Sequence, residues 1–313
     1  MARYVVTGGA GFIGSHLVDT LLGRGHSVRV LDDLSTGSRD NLDPRAELIL
    51  GDVADTATMR QVMRGAAGCF HLAAVASVTR CTEDWVTTHR TNLGGTVAAL
   101  DAARFQGRVP VVYASSAAVY GEQHRLPIRE QAPTNPRSSY GADKLGGELQ
   151  AQAAFITHGQ PSMGFRFFNV YGSRQDPRSQ YSGVISVFAS RLMAGLPIAI
   201  HGDGTQSRDF IAVQDIVRFL CTGMEAIRHQ PQARILNACT GRGTTVSDLA
   251  RITAAAIGVT ANLVPGPARP GDIRASIGDP VHAEHVLGVR AQVELGAGLR
   301  GLFSAPLAFR NAA

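Results

Sequence analysis

Short apolar runs alternate with longer amphipathic stretches through the first half of the chain. Tyr4–Thr7 is the first run. Gly14–Gly23 follows with Leu17, Leu21 and Leu22 at helical spacing. Brief apolar runs predict buried strands, and the spaced stretches predict helices. Ser27–Leu31, Leu48–Leu50, Cys69–Leu72, Val109–Ala114 and Met163–Phe168 read as further strands. Thr91–Phe105 and Tyr140–Thr157 read as helices. Such alternation with short links predicts an α/β fold on a doubly wound parallel sheet. Sheets of this kind bind ligands beyond the carboxyl ends of their strands.

After about Tyr171 the pattern loosens. A loop at Gly172–Gln180 leads to a helix at Val184–Ala194 and a strand at Ile198–Ile200. Phe210–Val213 and Ile235–Ala238 read as strands that rejoin the first sheet, with a helix at Ile216–Ile227 between them. Thr245–Ala256 reads as a helix capped by Thr245 or Ser247, and Pro265–Pro270 as a rigid loop. Leu302–Ala313 has no clear period and is expected to be irregular. The second half is thus expected to form a smaller α/β domain interwoven with the first.

The turn between the first strand and helix is Thr7-Gly-Gly-Ala-Gly-Phe-Ile-Gly14, with Gly8, Gly11 and Gly14 in GxxGxxG spacing. Glycines there let backbone amides and the helix N-terminus approach a diphosphate. The second strand ends at Asp32, where a carboxylate accepts from adenosine ribose hydroxyls and repels a 2′-phosphate. NAD is therefore the expected cofactor rather than NADP. Arg39, the nearest base, reads as a solvated loop residue. The expected division is a Rossmann-like NAD-binding domain over residues 1–171, rejoined by 208–240, and a mainly substrate-binding domain over 172–313.

Lys144 is the only lysine among 30 Lys+Arg residues, and it lies four residues after Tyr140. Positions i and i+4 share a helix face. A compact ammonium is not interchangeable with a planar guanidinium at a tight site. A phenol beside an ammonium can ionise below its usual pKa of about 10. Tyr140 and Lys144 therefore read as a catalytic pair.

Composition narrows the partners. The net charge is +5, but the basic residues are scattered rather than clustered. No nucleic-acid or membrane surface is expected, and an anionic small molecule fits better. Cys69, Cys81, Cys221 and Cys239 form no CxxC and no zinc spacing, so reduced thiols and no metal are expected. A strand beginning at Arg3 leaves no room for a signal peptide, and no apolar run reaches the length of a membrane span. The expectation is a cytoplasmic protein.

Together the motifs resemble the extended short-chain dehydrogenase/reductase family, and within it the nucleotide-sugar 4-epimerases, over roughly residues 3–300. The resemblance rests on Thr7–Gly14, Asp32, Gly51-Asp-Val53, His71-Leu-Ala-Ala74, Asn92, Ser115-Ser-Ala-Ala-Val-Tyr-Gly121, Tyr140/Lys144 and Arg166-Phe-Phe-Asn-Val-Tyr-Gly172. Gly202-Asp-Gly204, Arg208-Asp-Phe210 and Arg269-Pro-Gly-Asp-Ile-Arg274 extend it. It implies cofactor contacts from Gly8, Gly11, Phe12, Ile13, Gly14, Asp32, Ser35, Thr36, Gly37, Asp52, Val53, Leu72, Ala73, Ala74, Asn92, Tyr140, Lys144 and Phe168. It also implies a Ser116/Tyr140/Lys144 triad, and a UDP-sugar held by Ser116, Asn169, Val184, Arg208, Arg269, Asp272 and Ser276. A homodimer through Thr91–Phe105 and Tyr140–Thr157 is likewise what the resemblance implies. Ser116 has independent support, since it closes the strand Val109–Ala114 at the cofactor edge. His71 ends a buried strand and reads as a satisfied core residue. Ser173, where relatives often carry Pro, and a C-terminus poor in aromatics depart from the pattern.

By that resemblance Tyr140 removes a proton from a sugar hydroxyl while the C4 hydride passes to NAD. The 4-keto sugar turns over and takes the hydride back on its other face. Ala117 and Ala118 stand where related dehydratases carry Asp-Glu, which argues against elimination of water. Ser276, four residues after Asp272, occupies the place that faces the C2 substituent in the family. Its small side chain predicts that UDP-GlcNAc and UDP-GalNAc are admitted alongside UDP-glucose and UDP-galactose. A UDP-uronic acid epimerase, a net NAD-dependent oxidoreductase and a catalytically silent NAD-binding regulator are the competing readings. Product formation without added NAD separates the first two, and the complete triad argues against the third.

Overall fold

The structure, a computed structural model, describes residues 1–175, 183–268 and 272–304. The first half runs β1 (Arg3–Thr7), α1 (Phe12–Gly23), β2 (Ser27–Asp32), β3 (Glu47–Leu50), α2 (Thr56–Met63) and β4 (Gly68–His71). Two short helices, α3 (Val78–Glu83) and α4 (Trp85–His89), then lead through a π-helical turn at Arg90–Gly94 into α5 (Gly95–Phe105). The half closes with β5 (Val111–Ser116), α6 (Ser139–His158) and β6 (Ser162–Phe167). Local chemistry sets several of these ends. The Asp55 carboxylate accepts from the amides of Ala57 and Thr58 at the start of α2, and the Ser138 hydroxyl from Gly141 at the start of α6. Gly159 ends α6 at φ 66°, a left-handed conformation that suits glycine.

The second half comprises β7 (Asn169–Tyr171), α7 (Val184–Met193), β8 (Ile198–His201), β9 (Ser207–Ala212), α8 (Val213–His229) and β10 (Ala233–Ala238). It continues with β11 (Gly243–Thr245), α9 (Val246–Ile257), β12 (Leu263–Gly266), β13 (Ala275–Ser276), α10 (Val281–Leu287) and α11 (Leu295–Ser304).

Seven strands form one all-parallel sheet in the order β3-β2-β1-β4-β5-β6-β10. Every residue of β4 and β6 is buried, as expected of strands covered on both faces. Leu17, Leu21, Phe165, Phe219, Leu220 and Met224 pack in one core cluster, Met59, Val62, Ala99, Ala103 and Tyr113 in another. The strand order reverses between β1 and β4, and the crevice beyond their carboxyl ends is where this architecture takes ligands.

A smaller sheet gathers β7, β11 and β13 around β9, and β8 pairs with β12. Ile198, Phe188, Leu249 and Leu299 belong to a separate core here. Two expectations change. Ile235–Ala238 does join the main sheet, but Phe210–Val213 does not. Its strand, β9, pairs antiparallel with β11 and parallel with β7 and β13. Part of the expected Pro265–Pro270 loop is strand, since Pro265 and Gly266 pair with Ile200 and His201. The irregular C-terminus expected after Leu302 falls largely on 305–313, outside the described residues, although Leu302–Ser304 close α11. Among the described residues, no helix is long and apolar enough to cross a membrane.

Candidate active site

A cavity of about 470 Å³ opens at the reversal point between β1 and β4. One wall is the Gly-rich turn. Gly8 adopts φ 67°, and a side chain there would press on the backbone of Leu72 and Ala73. A side chain at Gly14 would collide with the Gly8 carbonyl. Gly8 and Gly14 thus make two close backbone approaches possible, and the N-terminus of α1 is left facing the cavity. Asp32 lies at its far end, 8% exposed, its carboxylate accepting from the amides of Ala10 and Leu34 at 2.9 Å. Burial raises the Asp32 pKa against the pull of those two amides.

Of the residues assigned to the cofactor, Gly8, Gly11, Phe12, Ile13, Gly14, Asp32, Ser35, Thr36, Asp52, Val53, Leu72, Ala73, Ala74, Tyr140, Lys144 and Phe168 line this one cavity. Two do not. Gly37 packs against Ala10, and Asn92 is buried behind the wall, where it holds Val75 through both the amide nitrogen (2.8 Å) and the carbonyl (3.2 Å). Asn92 therefore sits on the protein side of the segment that faces the cavity.

The chemical end is built by β5 and α6. Ser116 is the last residue of β5, and its hydroxyl accepts from the Ala118 amide at 3.1 Å. Tyr140 and Lys144 project from one face of the first turns of α6, and all three residues line the cavity. The Lys144 ammonium donates to the Ala114 carbonyl at 2.9 Å and stands 5.8 Å from the centre of the Tyr140 ring. Burial pushes Lys144 down to about 8, with Asp143 and Cys81 opposing it. Burial pushes Tyr140 up to about 12, and the Ser116 hydroxyl draws it back only in part. This corrects the expectation that the neighbouring ammonium would bring the phenol below its usual range. The sequence spacing reveals the cation but not the depth of burial, and desolvation is the larger effect here. His71 bridges Thr7 (2.9 Å) and Thr96 (3.2 Å), and burial pushes it down to about 3.

Of the described residues assigned to the sugar nucleotide, Ser116 lines the cavity, whereas Asn169, Val184, Arg208, Asp272 and Ser276 are not among its walls. The Arg208 guanidinium pairs with Asp272 at 2.6 Å, and Ser276 is the backbone partner of Arg208 across β9 and β13. Asn169 is exposed at the start of β7, and Val184 begins α7. Arg269 lies outside the described residues.

Several wall residues were not singled out from the sequence. Thr87, Arg90 and Thr91 line the cavity at helical spacing, and Arg90 pairs with Asp52 at 2.7 Å. The expected helix began at Thr91, whereas the helical run begins at Trp85 and passes through the π turn. Adjacent threonines and the Gly94-Gly95 pair weaken the helix signal there. Arg80 lines the same wall. Behind the site, Glu148 accepts from Ser115 Oγ (2.5 Å), Arg166 Nε (2.9 Å) and Arg166 Nη2 (2.7 Å), joining β5, β6 and α6. The pairing of Tyr140 with Lys144 at i and i+4 could have pointed to Glu148, one further turn along.

A parallel sheet whose reversal-point cavity carries a glycine cradle, an acidic strand end and a Ser/Tyr/Lys group defines a dinucleotide-dependent protein of the short-chain dehydrogenase type. The chain belongs to the NAD dependent epimerase/dehydratase family, which matches residues 4–239. It is 38% identical over 307 residues to a UDP-glucose 4-epimerase of Mycolicibacterium smegmatis, covering 95% of this chain and 96% of that protein. The UDP-glucose 4-epimerase of Thermotoga maritima, solved with UDP-glucose, superposes with a TM-score of 0.92 at 34% identity, covering 96% of this chain and 97% of that one. The UDP-N-acetylglucosamine 4-epimerase of Methanobrevibacter ruminantium, solved with UDP-N-acetylmuramic acid, gives 0.91 at 31%, covering 97% of each chain.

Proposed function

We propose that this protein epimerises a UDP-hexose at C4 with tightly held NAD, admitting N-acetylated sugars as well as plain ones. One observation carries the choice within a family of epimerases and dehydratases. Among the described residues, the only carboxylates lining the cavity are Asp32, Asp33 and Asp52, toward the end marked by Asp32. Beside Ser116 stand Ala117 and Ala118, so the chemical end offers a hydroxyl, a phenol and an ammonium but no further acid to expel water.

The glycine cradle, Asp32 and Lys144 fit a nicotinamide dinucleotide, which when bound supplies a hydride acceptor that returns what it takes. Tyr140 exchanges the proton of the sugar C4 hydroxyl, and Ser116 hydrogen-bonds the reacting oxygen. Tyr140 takes that proton as phenolate while the hydride leaves C4 and returns it as phenol when the hydride comes back, burial favouring the phenol form. Lys144, pushed down to about 8, is still largely an ammonium at pH 7 and supplies the charge that the phenolate needs. Arg208 and Arg269 are assigned to the nucleotide diphosphate. Few groups then restrain the hexose, which is free to present its other face.

Ser276 supports the wider substrate range, because a small side chain leaves room at C2. The reading also makes the protein a homodimer through α5 and α6, on which Val97, Phe105, Leu149 and Ile156 are exposed. Incubation with UDP-glucose, UDP-GlcNAc and UDP-glucuronate, followed by product separation, tests the function. The 4-epimers of the first two should form with no added NAD and no net NADH. A 4-keto-6-deoxy product would overturn the assignment. Ser276→Tyr should suppress turnover of the N-acetylated sugars alone, and an unchanged substrate ratio would remove the size argument. Light scattering tests the dimer.

A further inference from the structure

Three cations line the cavity among the described residues: Lys144, Arg90 and Arg80. Two are committed. Lys144 donates to the Ala114 carbonyl, and Arg90 is neutralised by Asp52. The Arg80 guanidinium has no hydrogen-bond or ion-pair partner among the described residues, although the residue is half-buried. An arginine kept in a cavity wall without a counter-charge is a waiting anion site, since its fork of donors matches phosphate oxygens.

Its place in the wall identifies which anion. The segment leading to α3 crosses the Gly-rich turn where Ala73 meets Gly8. The Ser77 hydroxyl then accepts from the Arg80 amide and starts α3. The next residue, Cys81, is held by its carbonyl to Ser139 Oγ at 2.7 Å, beside Tyr140. Further along the same direction the chain reaches Thr87 and Arg90, which also line the cavity, and Arg90 meets Asp52. Arg80 thus stands in the stretch of wall that runs from the Gly-rich turn, met by Ala73, to Tyr140, approached through Cys81, and the turn itself offers only backbone amides. That is the middle of a dinucleotide, where its two negative charges sit.

We infer that Arg80 is the cation that closes over the outer face of the cofactor diphosphate, completing a clamp whose inner face is the N-terminus of α1. The inference rests on the reading of this cavity as a nicotinamide dinucleotide site. A diphosphate could also come from the sugar nucleotide, and Arg208 is free to serve that one once it parts from Asp272.

The test uses the full-length protein depleted of nucleotide, titrated calorimetrically with ADP-ribose, adenosine and UDP. Arg80→Gln should weaken ADP-ribose by about tenfold to a hundredfold, the usual worth of a charge-assisted hydrogen bond. Adenosine, which lacks the diphosphate, should bind as in wild type and so certifies the fold. UDP should bind as in wild type. Arg80→Lys should recover part of the loss. The inference is overturned if ADP-ribose binds Arg80→Gln within twofold of wild type. It is equally overturned if adenosine weakens as much as ADP-ribose, or if UDP weakens instead. Any of these leaves the proposed epimerisation standing wherever turnover persists, so the two readings fail separately.

Discussion

Removing the charge of Glu148 should cost the protein more than any other single change near the site. The Glu148 and Arg166 side chains are 5% and 7% exposed. Glu148 takes three donors, and Arg166 gives its remaining nitrogen to the Glu130 carbonyl at 3.0 Å while its guanidinium carbon stands 4.6 Å over the Tyr120 ring. Glu148→Gln keeps the shape, but it turns an amide toward donors and strands a buried guanidinium. Breaking a buried pair from one side costs about 3–5 kcal/mol. An unfolding entropy of about 2.1 cal/mol/K per residue over 313 residues is roughly 0.66 kcal/mol/K. The midpoint should therefore fall by roughly 5–8 °C. Circular dichroism is the better probe, because the single tryptophan, Trp85, is already 65% exposed. Turnover should fall as well, because Ser115 adjoins Ser116 and Glu148 lies one turn beyond Lys144. Replacing both partners, Glu148→Leu with Arg166→Met, should recover much of the midpoint, since apolar pairs of similar volume often match a buried ion pair. A midpoint within about 1 °C of wild type for Glu148→Gln, or a double variant less stable than the single one, would refute this reasoning.

Tyr140→Phe should retain nucleotide binding and lose at least about a hundredfold in turnover, the low end for a general acid/base; near-normal turnover would remove it from the chemistry. Lys144→Arg should be impaired despite the kept charge, and equal kcat in the two enzymes would end the point-charge argument. Burial lowers Lys144 from 10.5 to about 8, so above pH 8 the unfolded chain binds a proton that the folded one does not. The Lys144 contribution to stability should therefore rise between about pH 8 and 10, by on the order of 3 kcal/mol when complete, on top of the opposite trend from buried thiols whose pKa burial raises. Lys144→Met should lack that contribution, so the stability difference between wild type and variant should grow in favour of wild type from about pH 8 to 10, and a difference that stays constant across this window would contradict it. Asp32→Ala should weaken NAD and relax the bias against NADP, as measured by titration with both; unchanged affinities would sink the assignment.

The main sheet was legible because its signals are local. Glycines at Gly8, Gly11 and Gly14, apolar runs at Tyr4–Thr7 and Ser27–Leu31, and helical spacing after Tyr140 each depend on near neighbours. Strand partners are not local. Phe210–Val213 and Ile235–Ala238 look alike as apolar runs, yet only the second joins the main sheet, because the edges they meet lie far away in sequence. The same limit explains Tyr140. Its lysine is four residues away and visible, whereas its burial is made by the whole fold. Arg80 and Arg90 escaped notice for a related reason: nothing in their neighbours distinguishes them from the solvated arginines elsewhere.

The route of the chain between the two sheets has a mechanical consequence. Only Phe168 separates β6 from β7, no residue separates β9 from α8, and residues 239–242 link β10 to β11. Residues 277–280 link β13 to α10, whose Ala283 packs in the main-sheet core, and residues 288–294 lead on to α11 in the smaller core, so the smaller sheet is riveted to the larger at several short seams. A protease that nicks one exposed loop should leave fragments that stay together until denatured. Grafting the smaller sheet from a relative would require matched joints at all of these seams at once.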